Sequence, residues 1–299
     1  MKKSVSMLLA ALMLTGALAG CGSSASTSAS QAADGADSGV SGAITVISRE
    51  DGSGTRGAFI ELTGVEEKTA DGKKVDNTTA DAEIANKTDV VLTSVAGNEK
   101  AIGYISLGAL NDTVKAVKVD GAEATVDNVK AGAYKLSRPF NIATKGEPTG
   151  VAKDFINFIL SKEGQAVVTD NKYIAVNDAA ESFVSDGSSG QIAVGGSSSV
   201  SPVMEKLIEA YKSVNPNASI DLQTSDSTSG MTGAMDGTFA IGMASRELKD
   251  EEAAQLTGTA IALDGIAVIV NPANTIDELS MDQIKSIYVG DITDWGDLA

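Results

Sequence analysis

The densest run of groups able to hold a ligand is SREDGSGTRGAF at residues 48–59, directly after the apolar stretch AITVI at 43–47. It crowds two arginines, two acids, a Gly-Ser-Gly-Thr turn and a helix start together. A helix start leaves backbone N–H groups without intrahelical acceptors and carries the positive end of the helix dipole. Ser and Thr placed there cap the helix and also offer hydroxyls to a ligand. Arg49 adds a cation with a forked set of donors. Three further turns repeat the pattern: GGSSSVS at 195–201, ahead of Pro202 at a first helical position; TSDSTS at 224–229; and ASR at 244–246. A single turn of this kind is ordinarily just a cap. Four of them, one with an arginine at its strand end, predict a small pocket of neutral donors around one cation, suited to a compact tetrahedral oxyanion. Arg56, one step into the helix, is expected to face solvent.

Other chemistries fit poorly. Residues 52–57 satisfy G-x-G-x-x-G, but four polar residues separate them from the strand, and the following acids, Asp71 and Asp76, lie in a polar loop. No Gly-Lys-Ser/Thr follows, so there is no phosphate loop of the nucleotide-hydrolase type. The chain has no histidine, which removes the commonest general base and metal ligand. It has no Ser-x-x-Lys either. The acid pairs Glu66/Glu67 and Glu251/Glu252 read as solvated faces. Nucleic acid is disfavoured by a net charge of −17, which becomes two units more negative if Lys2 and Lys3 are removed. Aromatic residues make up only 4%, too few for stacking platforms.

The elements that must position these turns alternate along the chain. Strands are expected at 43–47, 101–105, 114–120, 140–143, 191–194, 219–222, 239–243 and 261–270. Helices are expected at 55–63, 80–95, 149–160, 162–169, 202–213, 230–235 and 281–288. Val203, Leu207, Ile208 and Tyr211 recur at helical spacing, as do Val151, Phe155, Phe158 and Ile159. This alternation predicts an α/β architecture with largely parallel sheets. Residues 1–20 read as a signal peptide that ends in LAGC, resembling the lipobox of bacterial lipoproteins, with Cys21 as the lipidated residue. Cys21 is the only cysteine, so disulfides within one chain are excluded. Residues 21–42 read as a flexible Ser/Ala/Gly tether, and SDGSSG at 185–190 is a second such stretch.

Several segments together resemble the phosphate-binding proteins that feed phosphate ABC importers. They are ITVISREDGSGTRGAF, RPFNIATKGEPTG, GGSSSVSPVMEKLIEAY, STSGMTGAMDGTFAIGMASREL, IALDGIAVIVNP and IYVGDITDWGDL, and the resemblance spans nearly all of residues 43–299. The order is rotated relative to that family: ITVIS opens the fold, DITDW closes it, and SDGSSG joins the family's usual ends. This reads as a circular permutation, with a truncated tandem of half-related units as the alternative. The resemblance implies a two-lobed clamp of the type II periplasmic-binding-protein kind, with mixed, mostly parallel sheets flanked by helices. One lobe would be continuous over 140–262 and the other built from 43–139 plus 263–299. Crossing segments near RPFNIATKG and IALDGIAVIV would form the hinge.

By the same resemblance, anion contacts fall to Arg49, Ser53, Gly54 and Thr55 on one lobe. On the other they fall to Ser198, Ser199, Ser227 and Ser245, with Thr228 as an alternative to Ser227. Asp51 would pair with the arginine and temper its charge. Many family members carry, in place of Ser245 and Arg246, an Asp that accepts the proton of hydrogen phosphate; its absence weakens rejection of proton-free anions. The implied function is an extracytoplasmic, non-enzymatic lipoprotein, a monomer without cofactor or metal. It would capture inorganic phosphate for an ABC permease and touch the membrane only through its anchor. The alternatives are a receptor for sulfate or molybdate and a surface interaction protein of the same fold.

Overall fold

Short β-rich runs alternate with amphipathic helices throughout the computed structural model, which describes residues 40–298. The expected signal peptide, Cys21 and all but the last residues of the tether lie outside the described residues. In chain order the elements are β1 (Thr45–Arg49), α1 (Gly54–Thr63), β2 (Glu66–Lys68), β3 (Lys74–Asp76), β4 (Glu83–Ala85), α2 (Thr88–Ala96) and β5 (Ala101–Ser106). Then come β6 (Lys115–Ala116), β7 (Lys118–Val119), α3 (Val126–Lys130), β8 (Ser137–Thr144), α4 (Gly150–Leu160), α5 (Lys162–Asp170) and β9 (Gly190–Ser197). The last are α6 (Ser201–Val214), β10 (Ala218–Ser225), α7 (Ser227–Asp236), β11 (Ile241–Ala244), α8 (Asp250–Ala253), β12 (Thr257–Val270), β13 (Glu278–Leu279) and α9 (Met281–Val289).

One mixed sheet runs in the order β10-β9-β11-β8-β12-β5-β1-β4, with β6 added to β12. Its two wings are parallel: β10 and β11 flank β9, and β5 and β4 flank β1. The two central strands, β8 and β12, run antiparallel to each other and to their outer neighbours. All four hydroxyl-rich turns follow strands of the parallel wings, where α/β sheets present ligands.

Two large apolar cores flank the central pair. One gathers Phe59, Tyr104, Leu136, Ile266 and Tyr288; the other gathers Phe140, Phe155, Val194, Leu207 and Ala262. β8 therefore passes from one core to the other between Leu136 and Phe140, and β12 passes back between Ala262 and Ile266. The helices cover these cores through the periodic residues read from the sequence: Val203, Leu207 and Tyr211 of α6 are buried, as are Val151, Phe155 and Phe158 of α4.

Segments from opposite ends of the sequence are neighbours. Ala43 bridges Asp294, Ile44 N donates to Thr293 O at 2.8 Å, and Trp295 N donates to Gly42 O at 3.1 Å. The SDGSSG stretch is fastened rather than loose. Ser185 Oγ donates to Asp154 Oδ2 at 2.8 Å, Asp186 N donates to Asp154 Oδ1 at 3.0 Å, and Asn215 Nδ2 donates to Ser188 O at 2.8 Å.

The expected helix over 80–95 begins only at Thr88, because residues 83–85 pair in parallel with β1 as its edge strand. Ala82, Glu83 and Ala85 favour a helix, yet backbone groups at the end of β1 need partners, as where Glu50 N donates to Ala85 O at 3.2 Å, and this draws the segment into the sheet. The expected strand over 114–120 divides into β6, which pairs with β12, and β7, which pairs with β13.

Candidate functional site

Arg49 closes β1 with its side chain buried to 2% exposure. Nε donates to Ala85 O at 3.2 Å and to Glu50 Oε2 at 2.8 Å, while Nη2 donates to Glu50 Oε1 at 2.7 Å. The guanidinium is thus held in two-pronged fashion by its own neighbour, the geometry in which an arginine is most firmly oriented. Nη2 also donates to Ser198 Oγ at 3.1 Å, across from the other core's turn. Below it, Tyr104 OH takes Arg49 N at 3.1 Å and shares a hydrogen bond with Ser48 Oγ at 2.9 Å.

Four residues on, Ser53 caps α1 by accepting from Arg56 N at 3.3 Å. Gly54 and Thr55 follow as the first helical residues, both buried. Thr55 Oγ1 shares hydrogen bonds with Ser199 Oγ at 2.8 Å and, at longer range, with Ser245 Oγ at 3.5 Å. Gly54 sits so close to the opposite turn that a Cβ there would lie 2.4 Å from Ser227 Oγ and 2.8 Å from Ser245 Oγ. A side chain there would force these hydroxyls out of their present positions.

The opposing turns knit together on their own side. Ser197 Oγ donates to Ser245 Oγ at 2.9 Å and accepts from Ser199 N at 3.3 Å, and Ser227 Oγ accepts from Ser245 N at 3.1 Å. Thr228 N reaches across to Gly52 O at 3.2 Å. Ser198, Ser199, Ser227 and Ser245 are all buried. Every anion-contact residue expected from the sequence, Arg49, Ser53, Gly54, Thr55, Ser198, Ser199, Ser227 and Ser245, therefore lies in this one cluster of hydroxyls and helix starts around a single guanidinium.

Asp51 does not pair with Arg49. It is 97% exposed on its side chain and binds Arg56 Nη1 at 2.9 Å. A carboxylate two residues along a turning chain points away from the Arg49 head, whereas Glu50 can fold back onto it. The SRED run held both acids, and nothing in their order marked which would turn inward. Arg56 does not face solvent. It is mostly buried, donating to Arg49 O at 2.8 Å and bridging Asp51 and Asp76.

Arg246 is also buried, with Glu252 as its two-pronged partner at 2.7 and 2.8 Å. Nη2 reaches Thr228 Oγ1 at 3.3 Å. Glu252 is accordingly not a solvated residue. Burial pushes its carboxyl up, but Arg246 and the Lys249 N–H outweigh that and hold it below the usual glutamate range. Sequence reasoning also missed Ser197 and Thr88, the latter 3.4 Å from Ser199 Oγ. Ser197 ends a strand in a run of serines and carried the same signal as Ser198. Thr88 had none, because it was placed mid-helix. Among the described residues no group of three or more acids could hold a metal ion, and no helix is long and apolar enough to cross a membrane.

The sequence matches the PBP superfamily domain over residues 23–163 and 182–299. The chain belongs to this superfamily. Within it, the chain is 50% identical to "Phosphate-binding protein PstS 2" of Streptococcus agalactiae serotype V over 99% of this chain and 98% of that protein. It is 48% identical to "Phosphate-binding protein PstS 2" of Streptococcus pneumoniae serotype 4, over 99% of each. Among solved structures, a phosphate ABC transporter phosphate-binding protein from Streptococcus pneumoniae TIGR4 aligns with a TM-score of 0.69 at 50% identity, covering 86% of this chain and all of that one. The mixed sheet with helices on its flanks is thus the superfamily's type II fold.

Proposed function

We propose that this chain is the solute-binding component of an ABC importer and captures inorganic phosphate between two lobes. One lobe is built from residues 43–139 plus 263–299 and the other from 140–262, a division supported by the two apolar cores, with Ile174 alone crossing into the first. The observation that carries this reading is the meeting of Arg49 with Ser198 at 3.1 Å and of Thr55 with Ser199 at 2.8 Å, buried contacts between turns of different cores. A phosphate placed there would meet hydroxyls, helix N-terminal amides and one guanidinium, a set that stabilises a tetrahedral oxyanion. Ser53, Gly54, Ser227 and Ser245 complete the donor set. The relatives' names favour phosphate over sulfate or molybdate. The hydroxyls can donate to any tetrahedral oxyanion and can also accept the proton of hydrogen phosphate, so they admit phosphate without themselves rejecting sulfate.

The protein works outside the cytoplasm as a monomer, held to the membrane by acyl groups on Cys21, and performs no catalysis. The rotated order is read as a circular permutation. Its support is the adjacency of residues 42–44 to 293–295 and the fastening of the joining segment by Asp154. Titration calorimetry with phosphate, followed by competition with sulfate, tests the assignment. Phosphate binding that a large excess of sulfate fails to displace is expected. No heat with phosphate, or equal displacement by sulfate, contradicts it.

A further inference from the structure

The place where both strands pass between the cores holds a buried charge pair. Arg138 of β8 and Asp264 of β12 are register partners, with side chains 2% and 0% exposed. Arg138 Nη2 donates to Asp264 Oδ2 at 3.2 Å, and Asp264 Oδ1 accepts from Ser106 Oγ at 3.0 Å and Gly108 N at 3.4 Å. The carboxylate is well supplied. The guanidinium is less so: its carbon lies 5.5 Å from the centre of the Phe140 ring, but its Nε and Nη1 are buried with no hydrogen-bond partner among the described residues, and Tyr173 OH has none either. Buried donors left without acceptors are rare and oppose the arrangement that buries them. The charge environment adds to this. Burial and the neighbouring Arg49 lower the Arg138 pKa to about 10 against the pull of Asp264, Tyr173 and Tyr104.

Arg138 also lines a groove of about 620 Å³ whose walls come from the two lobes proposed above. Gly57, Ala58 and Glu61 of α1 form one wall, and residues 246–251 form the other. A movement that parts these walls widens the groove at the crossing strands.

Resting on the two-lobe reading above, we infer that Arg138 is a positioning residue that opposes closure. Its unpaired N–H groups gain water when the lobes part and lose it when they close. Neither Arg138 nor Asp264 hydrogen-bonds to a residue of the anion cluster, so the effect on affinity acts through the open–closed equilibrium. Such a counterweight suits a carrier that must release its cargo.

The test is the double variant Arg138→Met with Asp264→Asn, in which the Asn carbonyl still accepts from Ser106 and Gly108. Small-angle scattering of the ligand-free variant should report a more compact particle than the parent. Phosphate should bind at least about fivefold more tightly, chiefly through slower release. A residue that merely stabilises the fold predicts the opposite: lower melting temperature and weaker binding. Unchanged compactness overturns the inference. A parent that binds no phosphate defeats the functional reading instead, and the scattering comparison still decides this one. If the variant fails to fold, side-chain hydrogen exchange in the parent decides. Arg138 Nε–H should exchange far faster than core amides; exchange only with global unfolding overturns the proposal.

Discussion

Arg49 and Arg246 are both buried arginines gripped by a glutamate through two hydrogen bonds, yet they do different things. Arg49's partner is its chain neighbour, which leaves the far edge of the guanidinium facing the other core's serine turn. Arg246's partner is six residues away on α8, and Nη1 and Nη2 donate further to Glu247 O and Thr228 Oγ1 on its own side. Its stem packs toward α1, where a Cβ on Gly54 would come within 3.1 Å of Arg246 Cγ. An arginine held from behind is available to a ligand, while one whose two terminal nitrogens are both engaged on its own side is a strut. The position of the glutamate decides between the two.

Removing each head should separate these roles. Arg49→Ala should weaken phosphate binding at least about 100-fold, since charge-assisted hydrogen bonds contribute roughly 1.5–3 kcal/mol each. Arg246→Ala should leave affinity within about threefold by calorimetry. It should cost stability instead, about 3 kcal/mol in denaturant titration, because Glu252 is left buried and unpaired. Equal losses of affinity in both variants would erase the distinction.

Next in size is the glycine contrast on α1. Gly54→Ala places a methyl 2.4 Å from Ser227 Oγ and 2.8 Å from Ser245 Oγ, displacing two hydroxyls of the cluster, and phosphate affinity should fall about tenfold or more. Gly57→Ala meets nothing nearer than Arg246 Cδ at 3.8 Å. It should bind normally and gain about 0.5–1 kcal/mol from helix propensity, the smallest effect expected here.

Between these lies a pH comparison of two buried acids. The Glu252 carboxyl is held below its usual range, so its contribution is present above about pH 4.5 and lost on acidification. Burial pushes Asp264 the other way, from 3.8 to about 6 against the pull of Arg138, so stability should decline as pH rises across that interval. Glu252→Gln should flatten the acid-side rise, and Asp264→Asn should remove the decline. Thermal unfolding between pH 3 and 7 reads both.

Much of the site was legible because helix starts announce themselves. Ser53, Ser198 and Ser227 stand where strands give way to helices, and the apolar spacing of α4 and α6 fixed which faces turn inward. The identity of Arg49's partner was not legible, since Glu50 and Asp51 differ only in where the chain bends. The edge strand at 83–85 was hidden by helix-favouring residues that pair with β1 for its unmet backbone donors. Glu252 looked solvated because a local run of acids carries no sign of a cation six residues earlier.

Diffraction from crystals grown with phosphate tests the central claim most directly. The account predicts one tetrahedral anion within hydrogen-bonding distance of Arg49, Thr55 and Ser198, enclosed by both turns. An anion resting instead against Arg246 in the outer groove, with the serine cluster unchanged, would contradict it.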